Sequence, residues 1–232
     1  KEKMLNLLTK EKIKNLCKLY SDEGYQEIRQ LLLEHIKINP ADIEVRLKFI
    51  KHIYSTELDD PLNVVDYIND ILNYDPNNIQ ALLFLAYIQR FDLTEMDEKL
   101  IHQLKNYKCD DNEIMAMIAI AISWYYELAK QVNEQEKWLK QSLKYCSKIV
   151  RNYYELIVLY IEQNKVDQAR ELIPFALNNI THIFKKNYWD DEYLSDSTNI
   201  DEFFNIRYKM IHEGEDFVDR LLSWKNDESM SL

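Results

Sequence analysis

Residues 75–91 read Asp-Pro-Asn-Asn-Ile-Gln-Ala-Leu-Leu-Phe-Leu-Ala-Tyr-Ile-Gln-Arg-Phe and contain the start and the apolar face of one helix. Pro76 ends the preceding element, and the two asparagines after it are typical helix caps. Leu82 and Leu85 then lie on one face of the helix, followed by the small Ala86. The size of Ala86 leaves room for a neighbouring helix to approach closely. We interpret this helix as the first of a helix-turn-helix unit.

The same layout recurs on both sides of this helix. Positions at the centre of successive first helices are separated by 33, 36, 35 and 36 residues; they are Cys17, Ile50, Ala86, Ala121 and Ile157. In the first unit we expect a turn over residues 21–24, which includes Gly24, and a second helix from Tyr25 to Ile38 that ends before Asn39-Pro40. The second helix of the next unit ends before Asp75-Pro76, and Pro61 suits its first turn. For the third unit, we expect a second helix over about 95–107 with Thr94 as its cap. A regular period of this length predicts an array of helix pairs.

Composition supports an all-helical chain. Only 2 of the 232 residues are Gly and 4 are Pro, whereas hairpins and tight turns between strands and helices consume glycine. Cys17, Cys109 and Cys146 are odd in number and form no CxxC pair, so neither a disulfide framework nor a zinc site is indicated. We therefore expect a reducing, cytoplasmic location. The sequence contains neither an apolar run of membrane-spanning length nor a signal peptide, and residues 114–126 are expected to be a buried helix.

The helix-pair pattern resembles the tetratricopeptide repeat, whose 34-residue unit carries Trp-x2-Leu-Gly-x2-Tyr, then Ala-x3-Phe, then Pro. The resemblance covers about residues 3–181. It implies an all-α fold: a right-handed superhelix of antiparallel helix pairs, or TPR-like α-solenoid. The fifth unit matches best, with Tyr153-x2-Leu156-Ile157-x2-Tyr160 followed by Ala169-x3-Ile173.

The sequence departs from the family pattern in three ways. No unit has the family's glycine, and the bulkier Ile50 and Ile157 should widen the helix spacing where they replace it. Only the fifth unit has the alanine that opens the apolar stripe of the second helix. Pro174 lies inside that helix and should kink it. We divide the chain into a repeat region of about five helix pairs (1–181), an acidic loop with C-terminal capping helices (182–225) and a frayed tail (226–232).

A stacked array of helix pairs has a concave face lined by its first helices, and such faces bind peptides or proteins. Tyr and Arg are enriched at interface hot spots. The alternative is that the tyrosines only pack between neighbouring units. The family's carboxylate clamp is not matched, because its asparagines are missing. The residues expected on the concave face are Lys51, Tyr54, Tyr87, Arg90, Tyr154 and Val158.

Charge suggests a second binding surface. Residues 186–232 carry 12 Asp and Glu against 5 Lys and Arg, which is −7 of the chain's net −11. This acidic region is either a solvated surface or the face of an immunity-type or inhibitor protein that neutralises a basic toxin or nuclease. The residues named for that alternative are Asp190, Asp191, Glu192 and Asp196.

The sequence favours a non-enzymatic protein that binds another protein or a peptide. Its five histidines are isolated, and no metalloprotease, P-loop or nucleophile motif is present, so we expect no catalytic residue, cofactor or metal site. One catalytic alternative is that Arg207-x4-His212 resembles the motif of a family of helical RNases. The acidic net charge argues against nucleic acid as a partner, and we expect no membrane partner. The sequence does not predict an oligomeric state.

Overall fold

The computed structural model describes residues 7–19, 21–148, 150–179, 219–227 and 229–230. In these ranges the chain is all-helical and contains no strand, as the sequence predicts. The described residues divide into two compact units, with those up to Leu93 in the first and those from Thr94 onward in the second. The division falls between the two helices of the third predicted pair.

The described residues of the first unit form five α-helices, and each packs against the next along the chain. The last of these helices continues into one π-helical turn that ends at Leu93, next to the boundary between the two units. The elements are α1 (Leu7–Cys17), α2 (Asp22–Ile38), α3 (Ile43–Ser55), α4 (Pro61–Tyr74), α5 (Ile79–Ile88) and the π-helical turn (Gln89–Leu93).

The described residues of the second unit also form five α-helices packed in sequence order, and residues 219–226 are helical as well. Its helix α7 is apolar on all sides and buried without a break from Met115 to Trp124, which confirms the prediction of a buried helix. None of the described helices is both long and apolar enough to span a membrane. The elements are α6 (Glu98–Asn106), α7 (Asn112–Leu128), α8 (Val132–Tyr145), α9 (Val150–Glu162) and α10 (Val166–Asn179).

Most helix boundaries follow from local signals. The Asn78 side chain accepts a hydrogen bond from the Ala81 backbone N–H at 3.0 Å, which confirms the predicted cap of α5. Pro61 is the first residue of α4, where its missing N–H costs nothing. Helices α2 and α4 end before Pro40 and Pro76, as expected. Helix α10 continues through Pro174 to its end at Asn179.

Two predicted boundaries are wrong. Helix α2 begins at Asp22 and not at Tyr25, because Ser21 caps it by accepting a 3.1 Å hydrogen bond from the Gly24 N–H. A Cβ atom at Gly24 would lie only 3.3 Å from the Leu16 carbonyl oxygen, so this glycine permits the close approach of α1. Helix α6 begins at Glu98, capped by Asp97, whereas Thr94 has a left-handed backbone with φ of 53°.

Thr94 is one of four non-glycine residues that follow a first helix in the left-handed conformation. The others are Glu57, Lys130 and Asn164, with φ between 54° and 58°. After α3, α7 and α9 the turn is closed by the same two backbone bonds, for example Lys130 N–H to Glu127 O and Gln131 N–H to Tyr126 O. This pattern is a Schellman motif, which normally carries glycine. The repeated units therefore share the backbone conformation of their turns as well as the spacing of their helices.

The last part of the second unit has its own apolar cluster. It combines Leu139 of α8 and residues from α9 and α10 with Leu221, Trp224 and Met230 of the C-terminal segment, which is residues 219–227 and 229–230. The Arg170 side chain donates a 3.3 Å hydrogen bond to the Asp227 carbonyl, which joins α10 to this C-terminal segment. Within the predicted frayed tail, Met230 is only 1% exposed. The predicted acidic loop and most of the predicted cap, residues 182–218, lie outside the described residues.

Candidate functional site

Two of the tyrosines predicted on the concave face lie together in the interior of the first unit. Tyr54 on α3 and Tyr87 on α5 are 6% and 3% exposed. Their rings meet edge to face with centroids 6.3 Å apart, and Tyr54 makes a second such contact with Phe84 at 5.3 Å. These geometries are favourable for aromatic pairs. Most of the surface of each tyrosine is therefore buried against other residues, which agrees with the alternative that these tyrosines pack between neighbouring helices.

The Tyr54 hydroxyl connects this interior to the π-helical turn. It donates a 2.7 Å hydrogen bond to Oδ2 of Asp92, an exposed residue near the end of the turn. A hydrogen bond to a carboxylate is stronger than one between neutral groups. The bond therefore holds Asp92, and with it the turn, against α3. Single π-helical turns in α-helical segments occur frequently at functional sites.

Arg90 and Phe91 form the outer layer of this cluster. Both are half-buried, and the Arg90 guanidinium lies 5.1 Å from the centroid of the Phe91 ring, within cation–π range. Phe91 in turn contacts Tyr87 at 4.6 Å between ring centroids. The structure thus joins Tyr54, Tyr87 and Arg90, three of the predicted residues, through Phe91. The sequence analysis did not name Phe91, although its position four residues after Tyr87 places it on the same side of the helical segment.

Lys51 lies on α3, three residues before Tyr54, so the two residues are neighbours along one side of the helix. Lys51 is half-buried. We call Lys51, Tyr54, Tyr87, Arg90 and Phe91 the first-unit patch. It presents half-buried cationic and aromatic side chains over a buried aromatic base.

The remaining two predicted residues, Tyr154 and Val158, lie in the second unit on α9. Tyr154 stacks on Trp224 of the C-terminal segment, with ring centroids 5.8 Å apart and planes 19° apart. Val158 is partly buried against the apolar cluster that includes Leu221 and Trp224. The C-terminal segment therefore covers part of the surface predicted to bind a partner on α9.

A network of charged and aromatic side chains beside this cluster connects two helices of the second unit. The Glu155 carboxylate accepts hydrogen bonds from Trp124 Nε1 at 3.0 Å and from Arg151 Nε at 2.8 Å. The Arg151 guanidinium also lies 5.5 Å from the Trp124 ring centroid. Burial raises the pKa of Glu155, although Arg151 and Trp124 favour its ionised form. The three side chains join α7 to α9.

The residues of the two alternative functions lie outside the described residues. These are the acidic Asp190, Asp191, Glu192 and Asp196 and the RNase-like pair Arg207 and His212. Among the residues that the structure describes, no group of three His, Cys, Asp or Glu side chains is placed to hold a metal ion.

Comparison with known proteins shows which solved structures have a similar fold. No protein-family model matches the sequence, and no curated protein matches it either. Solved structures do match: PilW, described as a widely conserved type IV pilus biogenesis factor, has a TM-score of 0.60 at 10% identity, covering 97% of this chain and 98% of that one. PilF of Pseudomonas aeruginosa has a TM-score of 0.58 at 13% identity, covering 96% and 95%. MamA from Desulfovibrio magneticus RS-1 has a TM-score of 0.54 at 12% identity, covering 74% and 94%.

All three of these proteins contain tetratricopeptide repeats. This chain has a tetratricopeptide-repeat fold. The resemblance read from the helix spacing is therefore confirmed at the level of the fold.

Proposed function

We propose that this protein, which has a tetratricopeptide-repeat-like fold, is a non-catalytic interaction module whose first-unit patch binds a protein or peptide partner. The observation that carries the proposal is the Arg90–Phe91 pair, in which a half-buried cation lies 5.1 Å from the centroid of a half-buried aromatic ring. Aromatic and arginine side chains are the types that dominate binding energy at protein interfaces.

The patch is held in place before a partner arrives. Phe91 rests on buried Tyr87, and Tyr54 anchors Asp92 of the same turn. A surface whose side chains are already ordered loses less conformational entropy on binding. In this arrangement Tyr54 and Tyr87 support the patch, whereas Lys51, Arg90 and Phe91 contact the partner.

The test is a pull-down from host lysate with quantitative mass spectrometry, comparing the wild type with Phe91→Ala and with Lys51→Glu/Arg90→Glu. The matched control is Lys18→Glu/Lys37→Glu, which makes the same change in net charge at two exposed lysines of the same unit. We expect a specific partner to be lost with both patch variants and kept with the control. Equal capture by all four proteins would contradict the proposal.

The charge asymmetry supports a second candidate, the inhibitor role. Here the variant is Asp190→Asn/Asp191→Asn/Glu192→Gln, and the partner is a basic protein whose capture weakens at high salt. Loss of that partner with this variant, together with its retention by Phe91→Ala, would favour the inhibitor role over the first-unit patch. Capture unaffected by the acidic variant would remove its support.

A further inference from the structure

The second unit contains a cavity of about 300 Å³ that none of the predicted functions uses. It lies among α6, α7 and α8 and does not involve α9, which carries Tyr154 and Val158. The apolar part of its lining comes from four residues that are at most 7% exposed: Leu104, Met115, Ile118 and Ile122. Its volume is at the lower end of the range for ligand pockets, which suits one bulky side chain better than an extended molecule.

Three lysines line the same cavity: Lys105, Lys108 and Lys137. No Asp or Glu is among the described residues that line it, although the chain as a whole has a net charge of −11. Lys105 Nζ donates to the Tyr126 hydroxyl at 2.6 Å, and Lys108 Nζ donates to the Lys105 carbonyl at 3.4 Å. Both contacts are to neutral oxygens, and the Lys105 ammonium also lies 4.9 Å from the centroid of the Tyr126 ring. Neither lysine forms an ion pair with a carboxylate of a described residue. Of the three lysines, Lys137 alone is paired with a carboxylate of a described residue, that of half-exposed Glu134.

Trp138 adds a polar group to the lining. Its indole nitrogen is buried but has no hydrogen-bond acceptor among the described residues, an arrangement that costs free energy. A ligand oxygen that reached this N–H would remove that cost. The half-buried Gln141 and Tyr145 complete the lining.

We propose that this cavity binds an acidic peptide segment of a partner protein through one bulky apolar side chain. The apolar side chain enters among Leu104, Ile118 and Ile122, and flanking carboxylates lie against Lys108 and Lys137. Complementary charge decides the class of ligand, because a basic or neutral segment gains nothing from the lysines. This site is separate from the first-unit patch in both residues and compact unit, so either proposal can fail alone.

The experiment measures binding of a synthetic peptide, acetyl-Ser-Asp-Glu-Asp-Phe-Asp-Glu-Ser-amide, by calorimetry and by ¹⁵N–¹H spectra. Two matched peptides replace Phe by Ala or replace the acidic residues by Asn and Gln. We expect the first peptide to bind with a dissociation constant below about 1 mM and both matched peptides to bind at least about tenfold more weakly. The indole N–H signal of Trp138, assigned with Trp138→Phe, should shift during the titration.

Two variants locate the site. Lys108→Glu/Lys137→Glu reverses two exposed charges at the cavity, and its control, Lys99→Glu/Lys144→Glu, reverses two exposed charges on α6 and α8 that do not line it. We expect affinity for the peptide to fall at least about tenfold with the first variant and less than about twofold with the control. Gln141→Trp, which fills the cavity without changing its charge, should also weaken binding and provides a second test if the double variant does not fold.

Three results would overturn the proposal. One is the absence of binding to the wild type at about 1 mM peptide. Another is equal weakening by the cavity and control variants, which would show a general effect of charge. The third is binding of dodecanoate, a small anionic amphiphile, with no binding of the peptide, which would assign the cavity to a different ligand class.

Discussion

The hydroxyl of Tyr54 donates a 2.7 Å hydrogen bond to Asp92 Oδ2, and this bond joins α3 to the π-helical turn 38 residues later in the chain. Tyr54 is buried and Asp92 is exposed. Tyr54→Phe keeps the ring packing and removes only the bond, so we expect the free energy of unfolding to fall by about 1 kcal/mol. Denaturant unfolding measures this change. Tyr74→Phe, at a half-exposed ring, is the control and should change stability by less than about 0.5 kcal/mol.

His52 makes the stability of the first unit depend on pH. It is 1% exposed, and burial lowers its pKa to about 4 from an ordinary value of 6.5, while its Nε2 lies 2.7 Å from the Tyr25 carbonyl oxygen. Between these two values the unfolded chain binds a proton that the folded chain does not. Its contribution to stability is therefore present above pH 6.5 and is lost as the pH falls towards 4, by about 3 kcal/mol in total.

The measurement is the free energy of unfolding of wild type and His52→Gln at several pH values from 7 down to about 4. The difference in the free energy of unfolding between the wild type and His52→Gln should narrow or reverse as the pH falls. His102→Gln, at an exposed histidine, serves as the control and should follow the wild-type curve. A His52→Gln curve parallel to that of the wild type would contradict the prediction.

The left-handed residue after α7 provides a stabilising substitution. Lys130 is exposed and has φ of 54°, which costs a side-chain-bearing residue about 1 kcal/mol relative to glycine. Lys130→Gly should therefore raise the free energy of unfolding by about 0.5–1 kcal/mol despite the greater flexibility of the unfolded chain. Lys144→Gly, within α8, should lower it by about 1 kcal/mol. Thermal melting of both variants tests whether the position of the glycine, and not the loss of a lysine, decides the sign of the change in stability.

The Arg151–Glu155 pair predicts a non-additive double-mutant cycle. The Arg151 and Glu155 side chains are only 6% and 18% exposed. Arg151→Met leaves a poorly solvated carboxylate without its cation and should cost about 2 kcal/mol, less than a fully buried pair would. Adding Glu155→Gln removes the charge but keeps an oxygen for Trp124, so the double variant should be more stable than Arg151→Met alone.

Chemical denaturation of the two single variants and the double variant measures that coupling. Lys137→Met, which removes one partner of the exposed pair with Glu134, should cost less than about 0.5 kcal/mol. If Arg151→Met is no more destabilising than Lys137→Met, the buried pair does not stabilise the second unit.

Trp224 should matter for the stability of the second unit. It is 3% exposed and stacks on Tyr154 of α9. Trp224→Ala should lower the free energy of unfolding by about 3 kcal/mol, as expected for a large core side chain. Leu222→Ala changes a neighbouring residue that is 44% exposed and should have little effect. Hydrogen exchange of α9 amides should accelerate in the first variant and not in the second.

Helix boundaries could be predicted from the sequence wherever they depend on a few adjacent residues. Asn78 and Pro61 mark helix starts through their own side chains, and both predictions are confirmed. Thr94 was misassigned because a threonine near a helix start resembles a cap, whereas its backbone completes the turn that ends the preceding helix. Gly24 resembled a turn residue because the close approach of α1 is not visible in local sequence.

The candidate site was predicted less completely than the fold. Helical spacing placed Tyr54, Tyr87 and Arg90 near one another, and the structure joins them. Spacing does not reveal how deep a ring lies, so the burial of both tyrosines and the role of Phe91 emerged only from packing between α3 and α5. The covering of Tyr154 by Trp224 depends on residues 70 positions apart.

The sequence by itself determined the all-α class, the spacing of the helix pairs and some of the helix starts, because apolar periodicity and capping act within a few residues. Tertiary structure alone decided which aromatic residues are buried and where Lys108 and Lys137 meet the apolar lining of one cavity. These features depend on side chains from different helices. Many arrangements of the same helices satisfy the local pattern, and close packing in three dimensions selects among them.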